Sequence, residues 1–231
     1  MKLTTLMALA LTIGIGGTAC SDDDPTEPTP VTANVRVVHA SPDAPNVDVL
    51  VDNVVVLTNV AYEVASGYLS VPAGTRNFKV RATGTTTTVI DADLAVTSGM
   101  YYTVVATGPV ASIQPLVLTD DYANPAAGNV KVRLVHGAPS APNVDIYVTA
   151  PGADISGIAP TLVDVPFRGF SGYLEVPAGS YQVRITPTGT KTVALDTGTL
   201  AVTAGQIRTG VALDAAGGGA PCGAIVLADK N

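Results

Sequence analysis

The sequence has little of what metal sites, disulfide frameworks and nucleic-acid surfaces are made of. Its 231 residues include no tryptophan, 2 cysteines and 2 histidines, and only 13% of them are charged. The 12 lysines and arginines are outnumbered by 19 acids, which gives a net charge of -7. An acidic chain without a basic stripe is a poor partner for a phosphate backbone, so we expect no nucleic-acid partner.

The cysteines are too few for a disulfide framework and show no zinc-site spacing, since no CxxC pair is present. Cys222 lies in a glycine-rich segment before the final apolar run. We expect it to be a buried or half-buried thiol and not a nucleophile.

Common catalytic motifs are also missing. The chain contains no GxSxG, HExxH or SxxK pattern, and the GGG at 217–219 is not followed by the Lys-Ser or Lys-Thr of a phosphate loop. We therefore expect a protein that is not an enzyme and uses no cofactor. An enzyme with a site between its domains is a less favoured alternative.

The chain begins with a targeting segment. Lys2 precedes an apolar stretch, 3–15, that is as long as a signal-peptide core and too short to span a membrane well. Small residues then lead to Cys20, as in a bacterial lipobox, although Gly17 stands where that box usually has an aliphatic residue. We expect a signal peptide over 1–20 and a lipid on Cys20. The alternative is an ordinary cleavable signal with a chance cysteine.

Residues 21–33 begin SDDDPTEPTP, which is acidic, rich in proline and unable to form a core. We expect a disordered tether there. The chain is then exported and anchored by its lipid to the cell envelope, at the outer membrane. The acidic run is similar to the surface-export signal of some Gram-negative lipoproteins, so either face of that membrane remains open.

The rest of the chain contains one pattern twice. VRVVHASPDAPNVDVLVD at 35–52 returns as VRLVHGAPSAPNVDIYVT at 132–149, and SGYLSVPAG at 66–74 returns as SGYLEVPAG at 171–179. The second copy carries an insertion near 150–160, which predicts a surface loop. We expect a first repeat at 34–120, a linker at 121–129 and a second repeat at 130–231, placed end to end.

Each copy has strand signals and no helical periodicity. Valine-rich segments alternate with period two, and turn residues recur about every ten residues. In VDVLV and VDIYV the alternation places Asp48, Leu50, Asp145 and Tyr147 outward. About seven or eight short strands per copy predict an all-β protein of two tandem immunoglobulin-like antiparallel β-sandwiches.

The opening phrase of each copy, followed by GYLSVPAG or GYLEVPAG, resembles the domain of unknown function 4397 family. Members occur in secreted and surface-anchored bacterial and archaeal proteins, often in tandem. The resemblance covers nearly all of 35–229 and implies a sandwich fold at the cell surface, without an established activity. The second copy departs from the motif at Ser140, which matches Asp43.

A histidine, two prolines and an aspartate recur around the first turn of each copy. We expect a structural motif in which each ring donates an N–H to a backbone carbonyl of the turn, since proline has no N–H to offer. Metal binding is the alternative. We expect the aspartates to bridge strands by pairing with Arg36 and Arg133, or to cap the turn. The motif residues are His39, Pro42, Pro45 and Asp48 in the first copy and His136, Pro139, Pro142 and Asp145 in the second.

Oxygen-rich linkers between tandem extracellular domains can hold calcium, and the segment between the copies is oxygen-rich. No EF-hand pattern is present, so a solvated linker is the favoured interpretation and we expect no metal. The less favoured calcium candidates are Asp120, Asp121, Asn124 and Asn129.

Taken together, the patterns predict a non-catalytic cell-envelope lipoprotein. It would act as a surface binding or scaffold module for an envelope or extracellular protein or glycan. A carbohydrate-binding accessory protein is the alternative, and it would need a contiguous patch of exposed tyrosines because tryptophan is absent. Tyr68 and Tyr173 recur in the two GYL segments, and Tyr101 and Tyr102 are adjacent.

Overall fold

A computed structural model of the chain describes residues 31–230, and every structural statement below concerns these residues. Short strands joined by turns make up almost all of this part of the chain, with one 3₁₀ turn at Val110–Ser112. The strands are β1 (Thr32–Ala40), β2 (Val47–Val51), β3 (Val54–Val60), β4 (Leu69–Pro72), β5 (Gly74–Ala82), β6 (Thr88–Val96), β7 (Tyr101–Thr107), β8 (Gln114–Asp120), β9 (Asn129–His136), β10 (Val144–Thr149), β11 (Leu162–Val165), β12 (Leu174–Pro177), β13 (Gly179–Pro187), β14 (Leu195–Val202), β15 (Ile207–Leu213) and β16 (Gly223–Lys230).

The strands form four sheets of four strands, two in each repeat. In the first repeat the outer sheet has the order β3-β2-β5-β6 and the inner sheet β4-β1-β7-β8; in the second they are β11-β10-β13-β14 and β12-β9-β15-β16. The prediction of two tandem immunoglobulin-like β-sandwiches is confirmed. Antiparallel pairs dominate, and each inner sheet adds one parallel pair, β1 with β7 and β9 with β15.

Strand β1 is buried on both faces. Val35 packs inside its own sandwich with Val51 and Phe78. Arg36 and Val38 point the opposite way, yet they are only 3% and 0% exposed. Because neighbouring strand residues face opposite sides, this second buried face must be covered by something outside the first sandwich.

The second repeat provides that cover. Residues from both inner sheets form one apolar cluster, so the sheets stack in the order outer, inner, inner, outer. The repeats meet face to face, not end to end as expected, and together form one compact unit. The cluster contains Val38, Val105 and Leu118 from the first repeat and Val135, Val211, Leu213 and Leu227 from the second.

The predicted boundaries shift slightly at the start of the fold. β1 begins at Thr32 and Ala33 is fully buried, so the tether expected to reach residue 33 stops before it. The predicted signal peptide, the predicted lipid site Cys20 and the predicted tether up to residue 30 lie outside the described residues. Between the repeats, β8 ends at Asp120 and β9 begins at Asn129.

The repeats differ most in the hairpin after their second strand. In the first repeat Asp52 and Asn53 have φ of 49° and 67°, which suits a two-residue hairpin turn. In the second repeat the predicted insertion forms a longer loop between β10 and β11. Three of the four residues predicted to face outward, Leu50, Tyr147 and Asp145, are instead 2%, 1% and 4% exposed.

Candidate functional site

The most polar part of the interior lies between the two inner sheets. Nη2 of Arg36, on β1, lies 2.6 Å from Oδ1 of Asp229, on β16 of the other repeat. Nη2 of Arg133, on β9, lies 2.5 Å from Oδ1 of Asp120, on β8 of the first repeat. None of the four residues is more than 3% exposed. Each repeat thus gives one arginine and one aspartate to a reciprocal double ion pair.

A threonine and a tyrosine complete each half of this inter-repeat network. Oδ2 of Asp229 accepts hydrogen bonds from the hydroxyls of Thr209 at 2.6 Å and Tyr173 at 2.8 Å. The Arg133 guanidinium lies 4.7 Å from the centre of the Tyr173 ring. Burial, followed by the Asp229 charge, raises the pKa of Tyr173, so its hydroxyl remains a donor. The other half repeats this arrangement with Asp120, Thr103, Tyr68 and Arg36.

The sequence motifs do not single out Asp229, Thr103 or Thr209, and they mark Asp120 only as a calcium candidate. A signal was available in the repeat. The last strand of the first copy contains LVLTD at 116–120, and that of the second contains IVLAD at 225–229. An acid that closes the last strand of both copies points to a shared structural role, and the structure shows it.

The calcium candidates do not converge on one point. Among residues 31–230, no group of three or more His, Cys, Asp and Glu side chains is placed to hold a metal ion. Asp120 belongs to the inter-repeat network. The other three bind separate neighbours: Asp121 the Lys131 ammonium, Asn124 the Lys230 ammonium, and Asn129 the Glu175 carboxylate.

The two histidines close β1 and β9 and face the proline turns. Nε2 of His39 lies 3.0 Å from the carbonyl oxygen of Pro45, and Nε2 of His136 lies 3.1 Å from that of Pro142. Both side chains are fully buried. Burial lowers the pKa of both rings, although the bond to the carbonyl opposes this. A neutral imidazole that donates to a backbone carbonyl performs a structural task.

The first prolines of the motif occupy equivalent turns. Pro42 follows β1 and Pro139 follows β9. The carbonyl oxygen of Pro42 also accepts a hydrogen bond from the Gly217 amide of the other repeat, at 2.7 Å. The turn of the first copy therefore takes part in holding the repeats together.

The predicted pairing of Asp48 with Arg36, and of Asp145 with Arg133, is wrong. The acids lie on the outer sheets, whereas the arginines point from the inner sheets toward the opposite repeat. Each acid does connect neighbouring strands, but through other donors. Asp48 accepts from the Asn59 amide and the Thr83 hydroxyl, and Asp145 from the Asp164 and Gly189 amides.

The departure at Ser140 has a structural explanation. In the first repeat Oδ1 of Asp43 accepts a hydrogen bond from the Val110 amide at 2.8 Å. In the second repeat Ser140 is the donor, and its hydroxyl lies 2.8 Å from Oδ1 of Asp214. In the first repeat the proline turn supplies the carboxylate, through Asp43, and in the second repeat the segment after β15 supplies it, through Asp214.

Cys222 is half-buried, and burial followed by the Asp214 charge raises the pKa of its thiol. This disfavours the reactive thiolate.

Three tyrosines lie together at one edge of the first repeat. The rings of Tyr101 and Tyr122 stack at 3.7 Å, and Tyr68 meets Tyr101 edge-on at 5.2 Å.

A cavity of about 220 Å³ lies between the sheets of the second sandwich, whereas the matching void in the first holds about 10 Å³. Strand register explains the difference, because three positions that are filled in the first repeat are smaller or polar in the second. The matched pairs are Phe78 and Val183, Tyr102 and Arg208, and Val104 and Gly210.

The fold and its reciprocal network define an all-β protein of two repeats fused through their inner sheets. The chain belongs to the DUF4397 family, a domain of unknown function, which it matches over residues 33–147 and 149–231. The family resemblance seen in the sequence is therefore confirmed. No curated protein matches the chain, and within residues 31–230 no helix has the length and apolar character needed to cross a membrane.

Several solved structures are similar in part. The Bacillus anthracis TIE protein matches at 11% identity and a TM-score of 0.27, over 79% of this chain and 34% of that one. A family 26 carbohydrate-binding module of Eubacterium rectale Amy13K, solved with maltoheptaose, matches at 11% identity and a TM-score of 0.28, over 86% of this chain and 98% of that one. A streptococcal virulence factor described for α-glucan binding matches at 13% identity and a TM-score of 0.26, over 73% of this chain and 88% of that one. These identities and TM-scores are too low to assign a function.

Proposed function

We propose that this chain is a non-catalytic binding or scaffold module of the cell envelope, in which both repeats act as one rigid body. The inter-repeat network supports this best. Four charged side chains that could have served chemistry are instead buried against one another. The histidines are likewise bound to backbone carbonyls. Groups suited to acid–base catalysis therefore serve the fold.

A partner surface is available at the outer sheets. β3 and β11 are equivalent edge strands, each paired on one side only. Val54 and Val55 on β3 are 66% and 51% exposed, and Val163 on β11 is 65% exposed. Unpaired strand edges with exposed apolar side chains favour the addition of a strand from a partner protein.

Site-specific photo-crosslinking in living cells tests the partner surface. A crosslinking residue at Val54 or at Val163 is expected to give an adduct of one defined mass. The matched control is Thr86, which is exposed in a polar turn between β5 and β6. Adducts of equal yield from residue 86, or none from residues 54 and 163, would refute partner binding at these edges.

The proposed anchor is a lipid on Cys20 at the outer membrane. Fractionation is expected to find the native protein with membranes and Cys20→Ala in the soluble fraction; unchanged membrane association of the variant would reject the anchor. Protease treatment of intact cells then identifies the face. Digestion with the membrane sealed means the module faces outward, and protection until lysis means that it faces the periplasm.

Carbohydrate binding is a second candidate, supported by the contiguous tyrosines Tyr68, Tyr101 and Tyr122. Sugars stack on aromatic faces, and this cluster is partly exposed. Affinity electrophoresis against a panel of soluble polysaccharides tests it. Retardation that is lost in Tyr101→Ala and kept in Tyr181→Phe is expected. Equal mobility of all three proteins in every gel would eliminate this candidate.

A further inference from the structure

We propose that the cavity of the second repeat binds an amphipathic carboxylate, with its short alkyl chain between the sheets and its carboxylate at Arg208. This site is separate from the edge strands β3 and β11 and from the inter-repeat network. It adds a small-molecule ligand to the proposed scaffold role and does not depend on that role.

The cavity has the size and lining for one apolar chain. An apolar cavity of about 150 Å³ is enough to take up a benzene ring, and this one measures about 220 Å³. Pockets for drug-sized ligands begin near 300 Å³, so a short single chain fits the space better than a two-chain lipid. Its walls include Leu134, Ile146, Val183, Ile185, Leu195 and Leu200.

The cavity is a property of a few residues and not of the fold. The first repeat has the same strand order, and there Phe78, Tyr102 and Val104 fill the space. An unfilled void of this size destabilises a core, because its lining loses contacts without gaining any. A ligand that occupies the void would restore those contacts.

The cavity is open to solvent at one edge. Its lining includes Ala201 on β14 and Val226 on β16, and Val226 is 52% exposed. These strands lie at the edges of the two sheets of the second sandwich. A ligand can therefore enter between them without separating the sheets.

Arg208 determines the charge of the ligand. It stands where the first repeat has the buried Tyr102, it is half-buried, and it points into the sandwich from β15. Its guanidinium makes no hydrogen bond or ion pair with any other residue of the range 31–230. A partly buried cation against apolar walls is stabilised by a carboxylate that binds it with two hydrogen bonds.

The other polar side chains of the lining are already bonded. The Tyr181 hydroxyl donates to the carbonyl oxygen of Pro177 at 2.8 Å. The Thr197 hydroxyl accepts from the Val183 amide and donates to its neighbour's carbonyl, both at 3.0 Å. The Arg208 guanidinium is the group that the lining offers to a ligand.

Thermal melting of the purified full chain carrying Cys20→Ala, which removes any acyl group at residue 20, tests the proposal. Octanoate is expected to raise the melting temperature in a saturable manner, and octanol to do so more weakly. Arg208→Gln is expected to weaken octanoate about tenfold, as the loss of one charge-assisted contact does.

Two variants that restore residues of the first repeat reduce the volume of the cavity. Val183→Phe and Gly210→Val should each weaken the octanoate shift. A Cβ at residue 210 would meet only Leu134 Cδ2, at 3.3 Å, and this side chain can move. Phe78→Leu, at the matched position of the first repeat, is the control that should keep the shift. No shift in the parent, or a full shift in Gly210→Val, would overturn the site. Equal octanoate affinity in Arg208→Gln would overturn the carboxylate assignment.

Discussion

The two buried histidines are expected to make the protein less stable in mild acid. Burial lowers the pKa of His39 and His136 below the usual 6.5. Below that pH the unfolded chain therefore binds more protons than the folded chain, and protonation favours unfolding. The free energy of unfolding is unaffected by protonation of the two histidines above pH 6.5, and it decreases as the pH falls below that value. Urea unfolding at about pH 7.5 and about pH 5.5, on either side of the ordinary histidine pKa, measures the difference.

The double variant His39→Gln, His136→Gln is the control for this pH dependence. The carboxylates with shifted pKa values, such as Asp48 and Asp121, are shifted downward and titrate below this pH range. The double variant should therefore lose most of the pH dependence while it remains folded. An equal loss of stability in the parent and the double variant would show that other groups are responsible.

A second residue-scale prediction concerns the inter-repeat network. Asp229→Asn removes one charge from a pair whose residues are 3% and 2% exposed and leaves the Arg36 cation buried without a counter-charge. Breaking such a pair typically costs about 3–5 kcal/mol. Equilibrium unfolding in urea at neutral pH measures this loss.

The matched control is Asp91→Asn. Asp91 forms a 3.6 Å ion pair with Lys79 on the surface, where its side chain is 54% exposed. Surface pairs of this kind contribute up to about 1 kcal/mol. If both variants lost the same small amount, the buried pair would not be a major contact between the repeats.

At the scale of elements, the alternating pattern predicts the strands well because side chains on a strand must point to alternate faces. The pattern does not tell what covers each face. Asp48 and Arg36 were expected to pair because they are close in sequence, but the turn between them moves the chain from the inner to the outer sheet. Alternation alone places Tyr147 outside, but its side chain is 1% exposed and the Lys191 ammonium lies 4.6 Å from its ring centre.

The inter-repeat network needed information that no single strand contains. VRVVHA carries apolar residues on both faces, which favours a strand buried on both sides. The partner of Arg36 lies almost the whole repeat region away, and only the comparison of LVLTD with IVLAD marks it. The same comparison of the repeats could have predicted the cavity, because the alignment matches Phe78 with Val183 and Val104 with Gly210.

The strands that line the two sandwich cores should respond oppositely to exchanged residues. Phe78→Val on β5 opens a void in the filled core and should cost about 2–4 kcal/mol. Gly210→Val on β15 fills part of an existing void and should stabilise the protein by about 0.5–2 kcal/mol. Unfolding free energies in the absence of ligand measure both changes. Destabilisation by Gly210→Val of the same size as by Phe78→Val would mean that the second core has no space to fill.

At the scale of the whole molecule, the family repeat and the folding unit are not the same thing. The family matches two consecutive segments, 33–147 and 149–231, and the point between them falls inside β10 of the second repeat. Each inner sheet, however, buries its second face only against the other repeat. The polar contacts run in both directions as well, as in the hydrogen bond from the Tyr62 hydroxyl to the carbonyl oxygen of Asp214. A two-repeat chain therefore closes on itself, and a single repeat would leave an apolar face open.

Two expectations follow from this closure: the full chain unfolds in one cooperative step, and the second repeat alone, 129–231, does not persist as a folded monomer. Removing the first repeat exposes Val135, Val211 and Leu227 and leaves Arg133 without Asp120. Exposed apolar sheet faces of this kind drive association. Calorimetry of the full chain and sedimentation of the isolated repeat measure the two outcomes. A soluble monomeric repeat whose melting temperature equals that of the full chain would mean that the inner sheets add nothing to the stability of either half.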